Sequence, residues 1–136
     1  RHNVPYAYLP SLEALADWCD VLVVAVRAGA DTHHKIDADM LKRLGAGGTL
    51  VNISRGSVVD LTALVAALEN NVIAGAGLDV YEKEPHAPDA LTKFPNVVLT
   101  PHIGGHTLDG HPRMQDCVIA NLEAFFAGRP LAYPVT

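Results

Sequence analysis

The 136-residue sequence is poor in basic residues, and the few that it has are scattered along the chain. Ten Lys and Arg stand against fifteen Asp and Glu, which gives a formal net charge of −5 and an isoelectric point near 5.7. Phosphate backbones and anionic lipid surfaces select clustered positive charge. We therefore expect neither a nucleic-acid partner nor a membrane-surface partner.

Long apolar runs, a leader segment and cysteine motifs are absent as well. No run approaches the roughly 20 apolar residues that span a bilayer, and no basic start precedes an apolar stretch. These absences favour a soluble, cytoplasmic protein. Cys19 and Cys117 lack CxxC spacing, so we expect free thiols. Position 1 is Arg rather than Met, and from this we expect a processed or truncated chain.

What the sequence does contain is a regular alternation of strand-like and helix-like segments. The β-branched run DVLVVAV at 20–26 is typical of a parallel strand covered on both faces. The alternation predicts parallel βαβ units and thus an open α/β sheet. Strands are predicted within 5–9 (an edge strand), 20–26, 49–54, 72–80 and 96–100. Helices are predicted within 11–18, 36–48, 60–70 and 107–128.

Caps and glycines refine these elements. Ser11, Asp37 and Asp60 are the predicted helix N-caps. Two glycines inside the 72–80 strand, Gly75 and Gly77, predict that a helix or a ligand packs closely against it. The last helix is expected to begin around His111, because Pro112 is tolerated only in a first turn. Its apolar face is predicted to contain Met114, Val118, Ile119, Leu122, Phe125 and Phe126.

Chemically active side chains follow three of the predicted strands. Arg55 follows the 49–54 strand, Asp79 and Glu84 lie at and beyond the end of the 72–80 strand, and His102 follows the 96–100 strand. In open parallel sheets, ligands bind beyond the carboxyl ends of the strands. We therefore expect these side chains to meet at one edge of the sheet.

These residue types suit one reaction in particular. An arginine can hold a substrate carboxylate. A histidine can protonate an oxygen that gains charge as its carbon accepts a hydride, and a paired carboxylate such as Glu84 favours the proton-donating form. Reduction of a 2-keto acid fits the set. Each residue taken alone also has an ordinary alternative: a surface ion pair for Arg55, a turn for Asp79, a solvated charge for Glu84 and a core position for His102.

Two long blocks carry a family resemblance. The segment LVNISRGSVVDLTALVAALENNVIAGAGLDVYEKEP, with FPNVVLTPHIGG after it, resembles the D-isomer-specific 2-hydroxyacid dehydrogenases, especially the glyoxylate and hydroxypyruvate reductase branch. The resemblance implies hydride transfer from a nicotinamide cofactor to a small 2-keto acid, which gives the D-2-hydroxy acid. It implies catalytic roles for Arg55, which binds the substrate, for His102, which exchanges the proton, and for Glu84, which supports His102.

The resemblance also implies a cofactor site. NAD or NADP is expected, with NADP slightly preferred, and Asp79 is expected beside the nicotinamide. The other implied cofactor contacts are Val26, Ile53 and Gly104. One departure concerns the turn at VRAGADTHH, where Arg27 replaces the apolar turn of the family.

A domain division follows from the same resemblance. Residues 1–106 are expected to form the C-terminal half of a Rossmann-like, doubly wound NAD(P)-binding domain. Residues 107–136 are expected to form a C-terminal helix and tail that return to the substrate domain of a full-length homodimeric enzyme. The G-x-G-x-x-G loop that binds pyrophosphate is expected before Arg1, since GAGG at 45–48 closes a helix rather than opening one. We therefore expect the isolated chain to be inactive.

The sequence also allows two other interpretations, a metal-binding protein and a nicotinamide-sensing interaction protein. Seven histidines, including His33 with His34 and His102 with His106 and His111, suggest a metal site. Two histidines at i, i+4 share a metal only on a helix, whereas His102 and His106 span a strand end and a glycine pair, so we predict no metal. A nicotinamide-sensing interaction protein, like the transcriptional co-repressors of this fold superfamily, could keep the same three catalytic-type residues. It would also need a partner groove and a tail after the fold.

Overall fold

Four parallel strands lie side by side in the order in which they occur in the sequence. In the computed structural model, which describes residues 5–134, the register aligns Val23, Val51, Gly77 and Val98 in one row across the sheet. The parallel pairing confirms the α/β prediction. The strands are β1 (Val21–Val24), β2 (Thr49–Asn52), β3 (Gly75–Leu78) and β4 (Val97–Leu99).

Helices connect the strands, and side-chain caps fix where three of them begin. Ser11, Asp37 and Asp60 each accept a hydrogen bond from the backbone N–H three residues later, which confirms the predicted N-caps. The helices are α1 (Leu12–Trp18), α2 (Ala38–Leu44), α3 (Leu61–Glu69), α4 (Asp89–Thr92) and α5 (Gly110–Phe126).

The core lies on one face of the sheet, where inward-facing strand residues pack against the helices. Its most deeply buried members include Leu22, Leu41, Leu50, Leu64, Ile73 and Leu91. The opposite face is open, since Val21 is 52% and Val23 is 53% exposed. The prediction that both faces of β1 are covered is therefore wrong, because a continuous apolar run does not reveal which chain segment supplies the second layer.

Two further predictions about strands need correction. Residues 5–9 form bends and coil instead of an edge strand, because the segment is bracketed by Pro5 and Pro10, which have no backbone N–H to donate to a strand ladder. In β3, a Cβ on Gly75 would lie 2.5 Å from the carbonyl oxygen of Asn96, so the close neighbour of Gly75 among the described residues is backbone and not a helix. A Cβ on Gly77 would meet only ordinary contacts.

The chain divides into two compact units, Arg1–His102 and Ile103–Thr136. The second unit contains α5, which begins one residue before the predicted His111 and ends before Gly128, whose φ is +64°. All six residues predicted for its apolar face are more than half exposed. Both cysteines are free, as predicted. Within residues 5–134, no helix is long and apolar enough to cross a membrane.

Candidate active site

Arg55 is positioned by the buried amide of Asn52. At the end of β2, Asn52 Oδ1 accepts a hydrogen bond from the Ser54 N–H at 3.0 Å, and Asn52 Nδ2 donates to the Arg55 carbonyl oxygen at 3.0 Å. One side chain thus holds the backbone on both sides of Ser54. The Arg55 guanidinium donates to the Ser54 carbonyl oxygen at 2.7 Å, and its side chain remains exposed.

A glycine brings this segment against the loop that follows β3. Residues Gly56–Val58 form a 3₁₀ turn, and a Cβ on Gly56 would lie 2.0 Å from the carbonyl carbon of Tyr81 and 2.2 Å from the nitrogen of Glu82. Only a residue without a side chain permits this approach. The close packing places Arg55 beside the loop that carries Glu84.

Glu84 and His102 form the central pair of the site. Glu84 Oε2 lies 2.8 Å from His102 Nδ1, and Glu84 Oε1 accepts a hydrogen bond from the Tyr81 N–H at 3.2 Å. The hydrogen bond with His102 lowers the pKa of Glu84 most, followed by the Tyr81 N–H and then the charges of His102 and Arg55. An ionised Glu84 accepts a hydrogen bond from the Nδ1–H of His102, which leaves His102 Nε2 available for proton exchange.

His102 reaches Glu84 from an unusual backbone conformation. Its φ of +57° lies in the left-handed region, which residues other than glycine seldom adopt. Its N–H donates to the Thr100 carbonyl oxygen at 3.1 Å, just beyond the end of β4. Such conformations persist where the surrounding structure enforces them, and they are frequent at functional sites. Both partners remain accessible, with His102 44% and Glu84 33% exposed at the side chain.

Tyr81 joins the ends of β3 and β4, a role that the sequence analysis missed. The side chain is buried, and its hydroxyl lies 3.1 Å from the Leu78 carbonyl oxygen and 2.9 Å from the Thr100 carbonyl oxygen. Burial raises the pKa of the Tyr81 hydroxyl, which therefore stays protonated and donates. The available signal was an aromatic residue with a polar tip placed directly after a buried strand.

The residues predicted to contact a cofactor fall into three settings. Val26 and Ile53 are about half exposed and line a cleft of about 530 Å³ together with Arg27 and Arg55. Asp79 is buried and accepts a hydrogen bond from Thr100 Oγ1 at 2.6 Å. Gly104 lies in the second unit and is exposed.

The cleft beyond β1 and β2 combines apolar and cationic side chains. It offers two apolar side chains for a ring and the guanidinium groups of Arg27 and Arg55, neither of which forms an ion pair within residues 5–134. Ser54 also lines it, and the buried hydroxyl of Ser54 has no hydrogen-bond partner in the described part of the chain. A buried hydroxyl without a protein partner is a position that water, an ion or a ligand can satisfy.

Comparison with known protein families gives one match over most of the chain. A family profile described as D-isomer specific 2-hydroxyacid dehydrogenase, NAD binding domain, matches residues 2–104. Among curated proteins, the chain is 44% identical over 135 residues to glyoxylate/hydroxypyruvate reductase A HPR2 of Arabidopsis thaliana, covering 99% of the chain and 43% of that protein. It is 47% identical over 126 residues to 2-ketogluconate reductase of Gluconobacter oxydans, covering 93% and 41%.

A solved structure agrees with these sequence matches. The NADPH-dependent glyoxylate/hydroxypyruvate reductase of Sinorhizobium meliloti, determined with NADP and malonate, superposes with a TM-score of 0.92 at 44% identity. The superposition covers 100% of this chain and 43% of that one. The chain therefore spans less than half the length of the relatives that it matches.

Proposed function

Because the chain belongs to the D-isomer-specific 2-hydroxyacid dehydrogenase family, we propose that it carries the carboxylate-binding and acid–base residues of an NAD(P)-dependent reductase. The substrates are small 2-keto acids of the glyoxylate and hydroxypyruvate type, and the products are D-2-hydroxy acids. The observation that carries this proposal is the 2.8 Å contact between Glu84 and His102 at the sheet edge where Arg55 also lies. A nicotinamide-sensing interaction protein could keep the same three residues, so turnover of a 2-keto acid is the measurement that separates the two functions.

Each of the three residues has a separate task in the proposed reaction. Arg55 binds the substrate carboxylate through its fork of N–H groups. When bound, a nicotinamide cofactor supplies the hydride that the 2-keto carbon accepts. His102 gives a proton from Nε2 to the keto oxygen as negative charge develops there, so that hydride and proton together yield the 2-hydroxy group. Glu84 holds the ring through Nδ1 and stabilises the protonated imidazole before the transfer.

Cofactor binding is proposed at the cleft beyond β1 and β2, where Val26 and Ile53 supply apolar contacts and Arg27 and Ser54 offer donors that can meet phosphate or amide oxygens. Asp79 and Gly104 do not line this cleft, and they are proposed as cofactor contacts from the family resemblance alone. The S. meliloti relative is described as NADPH-dependent, which supports a slight preference for NADP over NAD.

The proposed division of the chain follows the family. We assign residues 1–106 to the dinucleotide-binding domain and 107–136 to a helix and tail that return to a substrate domain. The exposed apolar residues of α5 support this assignment, because an apolar helical stripe is expected to pack against another layer.

Replacing the histidine tests the proposal. In the protein that carries this chain, we expect His102→Ala to lower kcat for glyoxylate and hydroxypyruvate by roughly 10²–10⁴-fold, the range typical of a general acid. The matched control is His86→Ala, an exposed histidine outside the pair, which should leave kcat unchanged. Near-normal turnover by His102→Ala would show that another group donates the proton.

A further inference from the structure

A second cluster of ionisable side chains lies apart from the residues assigned to the reaction. His33 and His34 belong to the loop between β1 and α2, and Glu82 belongs to the loop after β3. One ligand atom from each of the three lies within 4.8 Å of those from the other two. Within residues 5–134 no other three His, Cys, Asp or Glu side chains converge in this way, and the histidines at 102, 106 and 111 do not.

The backbone holds His34 in place for this convergence. Its φ is +48°, in the left-handed region, and its N–H donates to the Ser57 carbonyl oxygen at 2.8 Å. The ring of His33 stacks on that of His34 with centroids 3.9 Å apart and planes inclined by 25°. Consecutive side chains usually diverge, so this stacked pair depends on the backbone turn at His34.

The contact between His34 and Glu82 has the length that a shared metal ion requires. His34 Nε2 lies 3.0 Å from Glu82 Oε1. Zinc binds imidazole nitrogen and carboxylate oxygen at about 2.0–2.2 Å, so two ligands about 90–110° apart are separated by about 3.0–3.5 Å. A zinc ion placed to one side of the line between these two atoms, about 2 Å from each, can therefore replace the hydrogen bond with little change in their separation. The exposed His33 side chain would rotate out of its stack on His34 to bring a ring nitrogen to the same ion and complete a set of three ligands.

A carboxylate on the other nitrogen of His34 strengthens the resemblance to a metal centre. Asp60 Oδ2 lies 4.0 Å from His34 Nδ1. Metal-binding histidines almost always direct their second nitrogen toward a carboxylate, a carbonyl or water, which fixes the ring and raises its basicity. Within the described residues, neither Asp60 nor Glu82 forms an ion pair with Lys or Arg, so no fixed cation competes for their charge.

We propose that His33, His34 and Glu82 bind one divalent transition-metal ion, with zinc the best match to two imidazoles and one carboxylate. Water completes the coordination at the open side, which the exposure of His33 and Glu82 permits. The ion would tie the loop before α2 to the loop after β3. Glu82 lies two residues before Glu84, so occupancy of this site would restrain the loop that holds the proposed acid–base pair.

The test uses the chain itself and requires no catalytic activity. After treatment with a chelator, the chain is titrated with Zn²⁺ alone against a chromophoric competitor, and we expect saturable binding of one ion. His34→Ala and Glu82→Gln should each weaken binding at least tenfold. Asp60→Asn keeps a good helix N-cap and removes a charge 4.0 Å from His34 Nδ1, too far for a hydrogen bond, so it should weaken binding less than tenfold. His106→Ala is the matched control and should bind as the wild type does.

A spectroscopic measurement on the unsubstituted chain avoids dependence on the variants. With Co²⁺ as the ion, the imidazole resonances of His33 and His34 should shift or broaden first, before those of His102 and His111. Absence of saturable binding, zinc affinity unchanged in His34→Ala, or a first response at the other histidines or the cysteines would each overturn the proposal.

Discussion

Glu84 accepts one hydrogen bond on each carboxylate oxygen, and these bonds make its ionisation part of the stability of the fold. Its pKa is lowered from an ordinary value of 4.5. The unfolded chain therefore binds this proton more readily, so the stabilisation is present above the unfolded pKa and is lost as the pH falls through the lowered value. We predict that between about pH 5 and pH 3 the free energy of unfolding falls more steeply for the wild type than for Glu84→Gln.

Urea denaturation at a series of pH values measures this difference. Glu123→Gln on α5 is the control, because the Glu123 side chain has no hydrogen bond or ion pair within residues 5–134, and its profile should follow the wild type. Parallel profiles for the wild type and Glu84→Gln would mean that the two hydrogen bonds contribute nothing to folding.

Tyr81 offers a test of the link between β3 and β4. Tyr81→Phe keeps the buried ring and removes the hydroxyl that reaches the Leu78 and Thr100 carbonyl oxygens. We expect a loss of about 0.5–1.5 kcal/mol in the free energy of unfolding, the usual value of one internal hydrogen bond. The His102 imidazole resonances should shift as well, because Thr100 also accepts the His102 N–H.

A matched tyrosine supports the comparison. Tyr133→Phe removes a hydroxyl from an exposed residue whose hydrogen bonds with Asn121 use only backbone atoms of Tyr133, and it should change stability by less than about 0.5 kcal/mol. Equal losses in the free energy of unfolding for the two phenylalanine variants would mean that the Tyr81 hydroxyl does not stabilise the link between the strand ends.

Among the short elements, the 3₁₀ turn at Gly56–Val58 depends on the absence of a side chain at its first residue. Gly56→Ala would place a methyl group against the Tyr81 and Glu82 backbone, which cannot yield as a flexible side chain can. We expect a destabilisation of about 1–3 kcal/mol or more, typical of an overpacked site. Gly47→Ala meets no atom within 4 Å and should be nearly neutral. Thermal unfolding compares the two, and equal melting temperatures would contradict the close packing.

Helix beginnings and strand ends were predictable because local chemistry determines them. Asp37 and Asp60 cap their helices through hydrogen bonds to residues three positions away, which the sequence displays directly. Arg55 and His102 were predictable at the same edge of the sheet because the carboxyl ends of parallel strands lie at one edge. The edge strand at 5–9 and the covered second face of β1 were wrong, because each depends on a neighbouring layer that local patterns do not specify.

Contacts that depend on loop geometry were beyond the reach of sequence patterns. His34 and Glu82 lie 48 positions apart, and they meet where His34 adopts a left-handed backbone conformation that residues other than glycine seldom adopt. The Tyr81 bridge likewise depends on where β4 ends. The prediction of no metal rested on helical pairs of histidines. It did not include pairs from different loops that the sheet brings together.

For the molecule as a whole, we predict that the 136-residue chain alone does not reduce glyoxylate. Its sequence contains no G-x-G-x-x-G loop to bind pyrophosphate at a helix N-terminus, and it spans less than half of its relatives. Mixing the purified chain with NADPH or NADH and glyoxylate should therefore leave the cofactor absorbance constant. Calorimetry with NADP should show weak binding at most. Robust turnover would mean that the described cleft suffices for catalysis.

The strand order has a consequence for synthesis of the chain. Within residues 5–134, β2, β3 and β4 each pair with the strand that precedes them in the sequence. As the chain leaves the ribosome, β2 can join β1, then β3 can join β2, and β4 can close the series. His102 follows β4 directly, so the imidazole would reach Glu84 only after the rest of this sheet has assembled.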